Sequence, residues 1–268
     1  EIIQASAQNN AHQNGHAQQD EQAAREELVT VSHAMFNRGL CIGTDGNCSI
    51  RVPGTSNMFL IKPSGVPYLD LKPDDMVLMN MDGTVSPGQL KPSSEWRFHA
   101  VVYEAKGPSA VSIVHTHSPH ATTMACLNSD LPAFHYSIAD FGGDTVRCSP
   151  YFLYGSSGMA EKILSALKDR KGCLMGNHGA MTIGGTGKEA LDLSIELENL
   201  CNIYWRTMQV TCGSNVLSSS EMADVHSKNA TYGQGKNDVD GNDLVGTGTS
   251  VISNNRHGAS DFSRPARL

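Results

Sequence analysis

The sequence lacks several patterns that would place it quickly in a class. No Cys-x-x-Cys pair occurs among its seven cysteines, at 41, 48, 126, 148, 173, 201 and 212. A zinc ribbon and a thioredoxin-type redox pair are therefore both excluded. An odd, scattered set, most of it beside apolar residues, reads as small hydrophobes in a reducing compartment and not as a disulfide scaffold. Cationic excess is missing as well. The 20 Lys and Arg stand against 27 Asp and Glu, a net charge of −7 over 268 residues, and no basic stripe is present to follow a nucleic-acid backbone. No apolar run approaches the roughly 18 residues of a membrane span. Neither a P-loop nor a dinucleotide fingerprint occurs. Residues 1–22, polar and rich in Gln, Asn and Ala, do not read as a secretory signal.

What is present falls into zones. Residues 1–24 are of low complexity and are expected to form a disordered N-terminal extension. Residues 25–211 alternate apolar segments with Gly and Pro punctuation, as a folded domain does. From Cys212 the chain turns rich in Gly, Ser, Asn and Asp, and 236–268 holds too few apolar residues to fold alone. Within the domain, Leu28, Val31 and Met35 recur at helical spacing ahead of Gly39. Asn47 to Val52, Met58 to Lys62, Val77 to Met81 and Val111 to His115 are short strand patterns. Glu95 to Ala105 reads as a helix entered through Pro92-Ser93-Ser94. Met159, Ile163 and Leu167 mark another helix, and Asn177-His178-Gly179 breaks two apolar runs. Thr186-Gly187-Lys188-Glu189 opens a helix with a capping-box pattern and carries Leu193, Leu197, Leu200, Tyr204 and Met208 on one face. The order of elements predicts an α/β domain with several antiparallel strand neighbours.

His115-Thr116-His117 ends the Val111 strand. Side chains two apart in an extended backbone share a face, so both imidazoles can meet one metal ion, with Zn2+ suited to neutral nitrogen ligands. With 11 histidines in the chain, such a pair also arises by chance, and two core histidines would look the same. His178 sits at a strand break where an imidazole can face a cleft. Glu95 opens a helix directly after two serines, and three imidazoles with one carboxylate make a zinc shell with a displaceable member. A glutamate in a first helical turn equally serves to complement the helix dipole. Gly43-Thr44-Asp45-Gly46-Asn47, Pro63-Ser64-Gly65 and Ser93-Ser94 together suit an anion, although each is ordinary turn chemistry when taken singly. No lysine lies in an obviously apolar pocket segment, whereas a metal shell is available.

Asn47-Cys48-Ser49-Ile50-Arg51, Lys62-Pro63-Ser64-Gly65-Val66-Pro67, Lys91-Pro92-Ser93-Ser94-Glu95-Trp96-Arg97-Phe98-His99, Val114-His115-Thr116-His117 and Asn177-His178-Gly179 follow one another in this order. Over residues 26–233 the chain resembles the class II aldolase and adducin family, and most closely its L-fuculose-1-phosphate aldolase type. The resemblance implies a single three-layer α/β/α domain with a largely antiparallel central sheet. It implies a zinc-dependent retro-aldol cleavage of a ketose 1-phosphate to dihydroxyacetone phosphate and an aldehyde. His115, His117 and His178 would hold Zn2+, one per subunit, with Glu95 a ligand at rest and the general base during turnover. Asn47, Ser64, Gly65, Ser93 and Ser94 would hold the phosphate, with Thr44 and Gly46 near it, through neutral hydroxyls and amides. Tyr136 would be a proton donor from a neighbouring subunit of a homotetramer with sites at its interfaces. Tyr232, in a mobile segment over 212–235, would close over the site.

Asp140 falls where the related L-ribulose-5-phosphate 4-epimerases carry a proton-transfer acid, so an epimerase is the alternative within the family. An adducin-like binding module without chemistry is the alternative outside catalysis. No nucleic-acid or membrane partner is expected. The final Ala266-Arg267-Leu268 resembles a peroxisomal address, so the sequence suggests either the cytoplasm or a peroxisome-like organelle such as a glycosome.

Overall fold

Short β-prone runs separated by turn residues form one seven-stranded sheet among the described residues, in the order β3-β2-β1-β4-β7-β6-β5. The structure is a computed structural model and describes residues 2–55, 57–153 and 158–232. The strands are β1 (Asn47–Arg51), β2 (Met58–Ile61), β3 (Val77–Asn80), β4 (Ser112–Thr116), β5 (Cys148–Ser149), β6 (Gly172–Met175) and β7 (Gly179–Gly184). All neighbours are antiparallel except β5 and β6, which run parallel. The helices are α1 (Ile2–Asn37), α2 (Trp96–Lys106), α3 (Pro119–Cys126), α4 (Met159–Leu167), α5 (Gly187–Thr207) and α6 (Ser219–Thr231). Helices α2 and α4 cover one face of the sheet, and α1, α3 and α5 the other. This is the three-layer arrangement expected.

Strand alternation decides which side chain meets which layer. In β4, Ile113 packs beneath α2 and α4, and Val114 packs beneath α1. His115 returns to the α2 face, where its ring meets Phe98 edge-on with centroids 5.1 Å apart. In β1, Asn47 pairs with His115 and Ser49 with Ile113, while the intervening Cys48 packs under α1. Helix α2 answers with Phe98, His99, Val102 and Tyr103, all buried. With Glu95 just before the helix, these follow the three- and four-residue spacing that keeps one helical face turned to the sheet.

Several elements differ from the sequence reading. Helix α1 runs unbroken from Ile2, and Ala24 already lies in the core, whereas residues 1–24 are expected to stand apart. Ala and Gln, which give that stretch its low complexity, are also strong helix formers. Helix α3 starts on Pro119 and takes its N-terminal partner from α5: Glu198 accepts from the backbone N–H groups of His120 and Ala121 at 2.9 and 2.8 Å. The 212–235 segment contains α6, opened by a reciprocal box in which Ser218 N–H donates to Glu221 at 2.7 Å and Glu221 N–H to Ser218 Oγ at 3.3 Å. Met222 of α6 is buried, and His226 Nε2 lies 3.0 Å from Asp144. Residues Glu1–Ser227 form one compact unit, and of a second, Lys228–Leu268, residues 228–232 are described. The tail over 236–268 and Ala266-Arg267-Leu268 lie outside the described residues. No described helix is long and apolar enough to cross a membrane.

Gly179, the first residue of β7, is required by the close approach to β4. A Cβ there would lie 2.2 Å from the carbonyl oxygen of Thr116 and 3.0 Å from the His117 ring. Because the obstacle is backbone, Gly179→Ala is expected to cost about 1–3 kcal/mol or more, the range for overpacked interiors. Denaturant titration reads this directly, and an unchanged midpoint would contradict the tight β4–β7 contact.

Candidate metal centre and anion cavity

A strand end, a hairpin turn and a helix start converge on one point. His115 is fully buried on β4. His117, one residue past the strand, falls on the same side. His178 stands in the turn between β6 and β7, whose shape is set by Asn177 in the left-handed region at φ 55°. Two contacts hold that turn: Asn177 N–H donates to Ala125 O of α3 at 3.0 Å, and Asn128 Nδ2 donates to Asn177 Oδ1 at 2.8 Å. Glu95 is the residue before α2, and its side chain does not cap the helix. It turns instead to the histidines.

The three imidazoles form a near-regular triangle, with ring centroids 4.8, 4.8 and 4.9 Å apart. Glu95 Oε1 is 3.0 Å from His178 Nε2 and its Oε2 is 3.3 Å from His115 Nε2. The Nε2 atoms of His115 and His117 are 3.0 Å apart. The Ala180 carbonyl, 2.9 Å from His115 Nδ1, can only accept. His115 Nδ1–H therefore donates to that carbonyl, which leaves Nε2 turned to the cluster.

Burial disfavours the charge on Glu95, but His115 and His178 outweigh it and hold the carboxyl well below the usual carboxylate range. Burial and the two neighbouring imidazoles bring His117 down to about 4. Near neutral pH the site thus presents a carboxylate and an uncharged imidazole, the forms that bind metals. One ligand atom from each of the four residues lies within 4.8 Å of the rest, and in a tetrahedral shell with bonds of 2.0–2.1 Å such atoms stand roughly 3.3 Å apart. The donor set fits a divalent cation.

The cluster opens on a cavity of about 310 Å³. Thr44, Gly46, Asn47, Ser64, Gly65, Ser93, Ser94, Glu95, His117 and His178 all line it, so residues from three separate turns meet as the sequence suggested. Gly46 is at φ 73°, and a Cβ there would lie 2.8 Å from the His115 carbonyl oxygen. Only glycine lets this turn lie against β4.

Two details differ from a cavity of neutral hydroxyls and amides. The Ser64 and Ser93 N–H groups are already spent on Lys91 O and Lys62 O, at 2.9 and 3.1 Å. Lys62 also lines the cavity, although it is only 1% exposed. Its ammonium lies 4.5 Å from the centre of the Tyr68 ring and donates to Thr44 O and Pro63 O at 3.3 and 3.4 Å. Burial lowers its pKa, and no carboxylate is among its hydrogen-bond partners. Sequence reasoning passed over this lysine because it ends a strand pattern; its place directly before Pro63-Ser64-Gly65 was the available signal.

Two expected site residues, Tyr136 and Asp140, lie elsewhere in their own chain. Tyr136 opens a 3-10 turn over Tyr136–Phe141, is 58% exposed and stacks on His135. Asp140 lines a separate depression with Ser137, Thr186 and Glu189, and burial raises its pKa. Tyr232 follows α6, is exposed and belongs to the second unit.

Comparison with known proteins gives a consistent set of matches. The family model described as the class II aldolase and adducin N-terminal domain matches residues 26–205. The 5-methylthioribulose-1-phosphate/5-deoxyribulose-1-phosphate aldolase of Rhodospirillum rubrum is 39% identical, over 79% of this chain and 93% of that protein. The L-fuculose phosphate aldolase of Escherichia coli K12 is 38% identical, over 77% of this chain and 94% of that one. A solved L-fuculose 1-phosphate aldolase superposes with a TM-score of 0.73 at 31% identity, covering 78% of this chain and 96% of that structure.

Elemental analysis tests the donor set. The protein is expected to carry one divalent ion per chain, removable by chelation. His117→Ala is expected to weaken metal affinity by more than about 100-fold, since even outer-shell partners of ligands cost 10–100-fold. Full metal occupancy in that variant under competition with a chelator would rule out the assignment.

Proposed function

The chain belongs to the class II aldolase and adducin family as a metal-dependent aldolase, and on that footing we propose that it cleaves a ketose 1-phosphate of the L-fuculose-1-phosphate kind, reversibly, to dihydroxyacetone phosphate and an aldehyde. The observation that carries this reading is the opening of the Glu95, His115, His117 and His178 cluster directly onto the polar cavity with Lys62. A substrate held there by its phosphate would present its carbonyl end to the cluster. The aldolase relatives share a ketose phosphate and differ in the rest of the sugar, which agrees with a cavity built for the common half.

In this reading His115, His117, His178 and Glu95 hold Zn2+, which matches imidazole and carboxylate donors. When bound, such an ion supplies Lewis-acid stabilisation of the negative charge left on the carbonyl-bearing fragment as the carbon–carbon bond breaks. The phosphate lies among the Thr44, Ser64, Ser93 and Ser94 hydroxyls, the second Asn47 N–H, the Gly46 and Gly65 turns, and the Lys62 ammonium. Displaced from the cation by substrate, Glu95 would return to the carbon freed by cleavage the proton that the substrate hydroxyl gives up through Tyr136 and solvent, and would remove it in the reverse direction. The Tyr136 hydroxyl, from a neighbouring chain of a homotetramer, exchanges the proton on the aldehyde oxygen, and Tyr232 closes over the site. Support for assembly comes from the exposed apolar side chains Ile42, Leu69 and Tyr136, at 68, 56 and 58%. An adducin-like binding module would have no use for the four-residue donor set.

A 4-epimerase is the second reading, favoured by one observation. Burial raises the pKa of Asp140, and a carboxyl so placed suits proton transfer.

An assay of L-fuculose 1-phosphate, 5-deoxyribulose 1-phosphate and L-ribulose 5-phosphate, with aldehyde, dihydroxyacetone phosphate and epimer quantified, separates the two readings. Metal-dependent release of aldehyde from a 1-phosphate is expected; epimer as the sole product would replace the aldolase with the epimerase. Glu95→Gln is expected to lose about 10²–10⁴-fold in turnover, the usual worth of a positioned proton-transfer group, and near-normal turnover would reject Glu95 as the base.

Inorganic phosphate probes the cavity separately. Its affinity by calorimetry is expected to fall on the order of 10-fold or more after chelation, because two positive charges next to the cavity are lost. Equal affinity with and without metal would place the phosphate somewhere other than beside the cluster.

A further inference from the structure

A string of buried polar groups leads from Glu95 into the interface between α2 and the sheet. Glu95 Oε2 accepts from Asn47 Nδ2 at 2.8 Å, and Asn47 Oδ1 lies 2.5 Å from His99 Nε2. His99 Nδ1 is 2.7 Å from Ser49 Oγ, which is in turn 2.7 Å from the Tyr103 hydroxyl. Ser49, His99 and Tyr103 have no exposed surface, and Asn47 is 2% exposed. They stand among Phe59, Ile61, Phe98 and Val102 in an otherwise apolar cluster. Polar groups in such a place are costly unless every one is satisfied.

The direction of each hydrogen bond follows from the first. An ionised carboxylate only accepts, so the Asn47 NH2 faces Glu95 and its oxygen faces His99. That oxygen also only accepts, so His99 carries its proton on Nε2. The ring is neutral, since burial holds its pKa down to about 3. Its Nδ1 therefore accepts from Ser49, and Ser49 accepts from Tyr103. A flip of the Asn47 amide exchanges oxygen and nitrogen with almost no change of shape. On the inner side, His99 is the group that tells the two orientations apart.

We propose that His99 is a positioning residue whose Nε2–H fixes the Asn47 amide, so that its N–H groups face Glu95 and the anion cavity. The flipped amide would set its oxygen against the Glu95 carboxylate and against a bound phosphate, two like-charge contacts at once. His99 thus acts on the base and on phosphate binding while touching neither. The inference rests on the roles given to Glu95 and Asn47 in the proposed aldolase reaction.

The test uses metal-loaded full-length protein, with inorganic phosphate as the probe and substrate kinetics beside it. His99→Phe keeps the ring shape and removes the donor. It is expected to stay folded by thermal melting, to weaken phosphate and substrate affinity about 10-fold or more, the worth of a hydrogen bond to a charged group, and to lower turnover. His99→Gln, which offers an amide donor near the Nε2 position, is expected to recover most of that loss. In an Asn47→Ala background, His99→Phe should have no further effect on phosphate affinity. Additive losses in the double variant, or no recovery with Gln in an equally folded protein, would overturn the proposal.

Imidazole 15N spectra of the parent protein read the tautomer independently of catalysis. An Nε2–H form at His99 is expected, and an Nδ1–H form would overturn the proposal even if His99→Phe failed to fold. If the parent bound no phosphate, the reading of the cavity would fail, while the His99 tautomer would still decide the role of His99.

Discussion

Three imidazole nitrogens and a carboxylate, held within 4.8 Å of one another, make the donor set of a divalent cation. Glu95 gives up much of its water to join them, and its contacts with His115 and His178 offset that loss. The fold does not let them separate. The Ala180 carbonyl fixes the His115 ring, the left-handed Asn177 fixes the turn that carries His178, and Asn47 holds Glu95. Much of the chain around the site thus serves to keep those four groups facing one point, where a divalent ion would take over the contacts that Glu95 makes with His115 and His178.

Two periodicities meet to make this arrangement. Period two along β1 and β4 sends Asn47, Ser49 and His115 to the α2 face and leaves Cys48 and Val114 to the α1 core. The three-and-four spacing of α2 sends Phe98, His99, Val102 and Tyr103 back against them. Phe98 closes the His115 ring edge-on, so the metal side is apolar behind its first donor. The polar string through His99 runs alongside it. A register shift of one residue in β4 would turn His115 toward α1 and dissolve the centre.

Much of this was legible in sequence, because alternation and helical spacing are local rules. His115 and His117 could be placed on one face from a five-residue strand. The break at Asn177-His178-Gly179 marked a turn. What could not be read was depth. Lys62 ends an ordinary strand pattern, and only the packing of Tyr68 and the Thr44 turn around it makes it a buried cation. His99 looks like any helical residue until β1 supplies Ser49 and Asn47 opposite it. Helix α6 was different: Ser218 and Glu221 carry a capping signature that was there to be read, and the polar composition around them obscured it. Tyr136 and Asp140 belong to a third category, since neither lines the cavity that Glu95 lines within this chain.

Charge ties the two halves of the site together. The chain is acidic overall, with a net charge of −7, and its cavity is lined by Glu95 and Asp45 as well as Lys62. Without a metal that local balance is negative, which is a poor setting for a phosphate. A divalent ion reverses the sign at a stroke, and it does so a few ångströms from where the anion would lie, in a site screened from solvent by Phe98 and the sheet. Lys62 alone is too weak a counterweight, because burial already works against its charge. An anion beside it restores what burial removes, as a nearby opposite charge favours the ionised form. In the proposed site, metal, ammonium and phosphate would therefore stabilise one another, and this acidic chain would gain its anion site only with its cation bound.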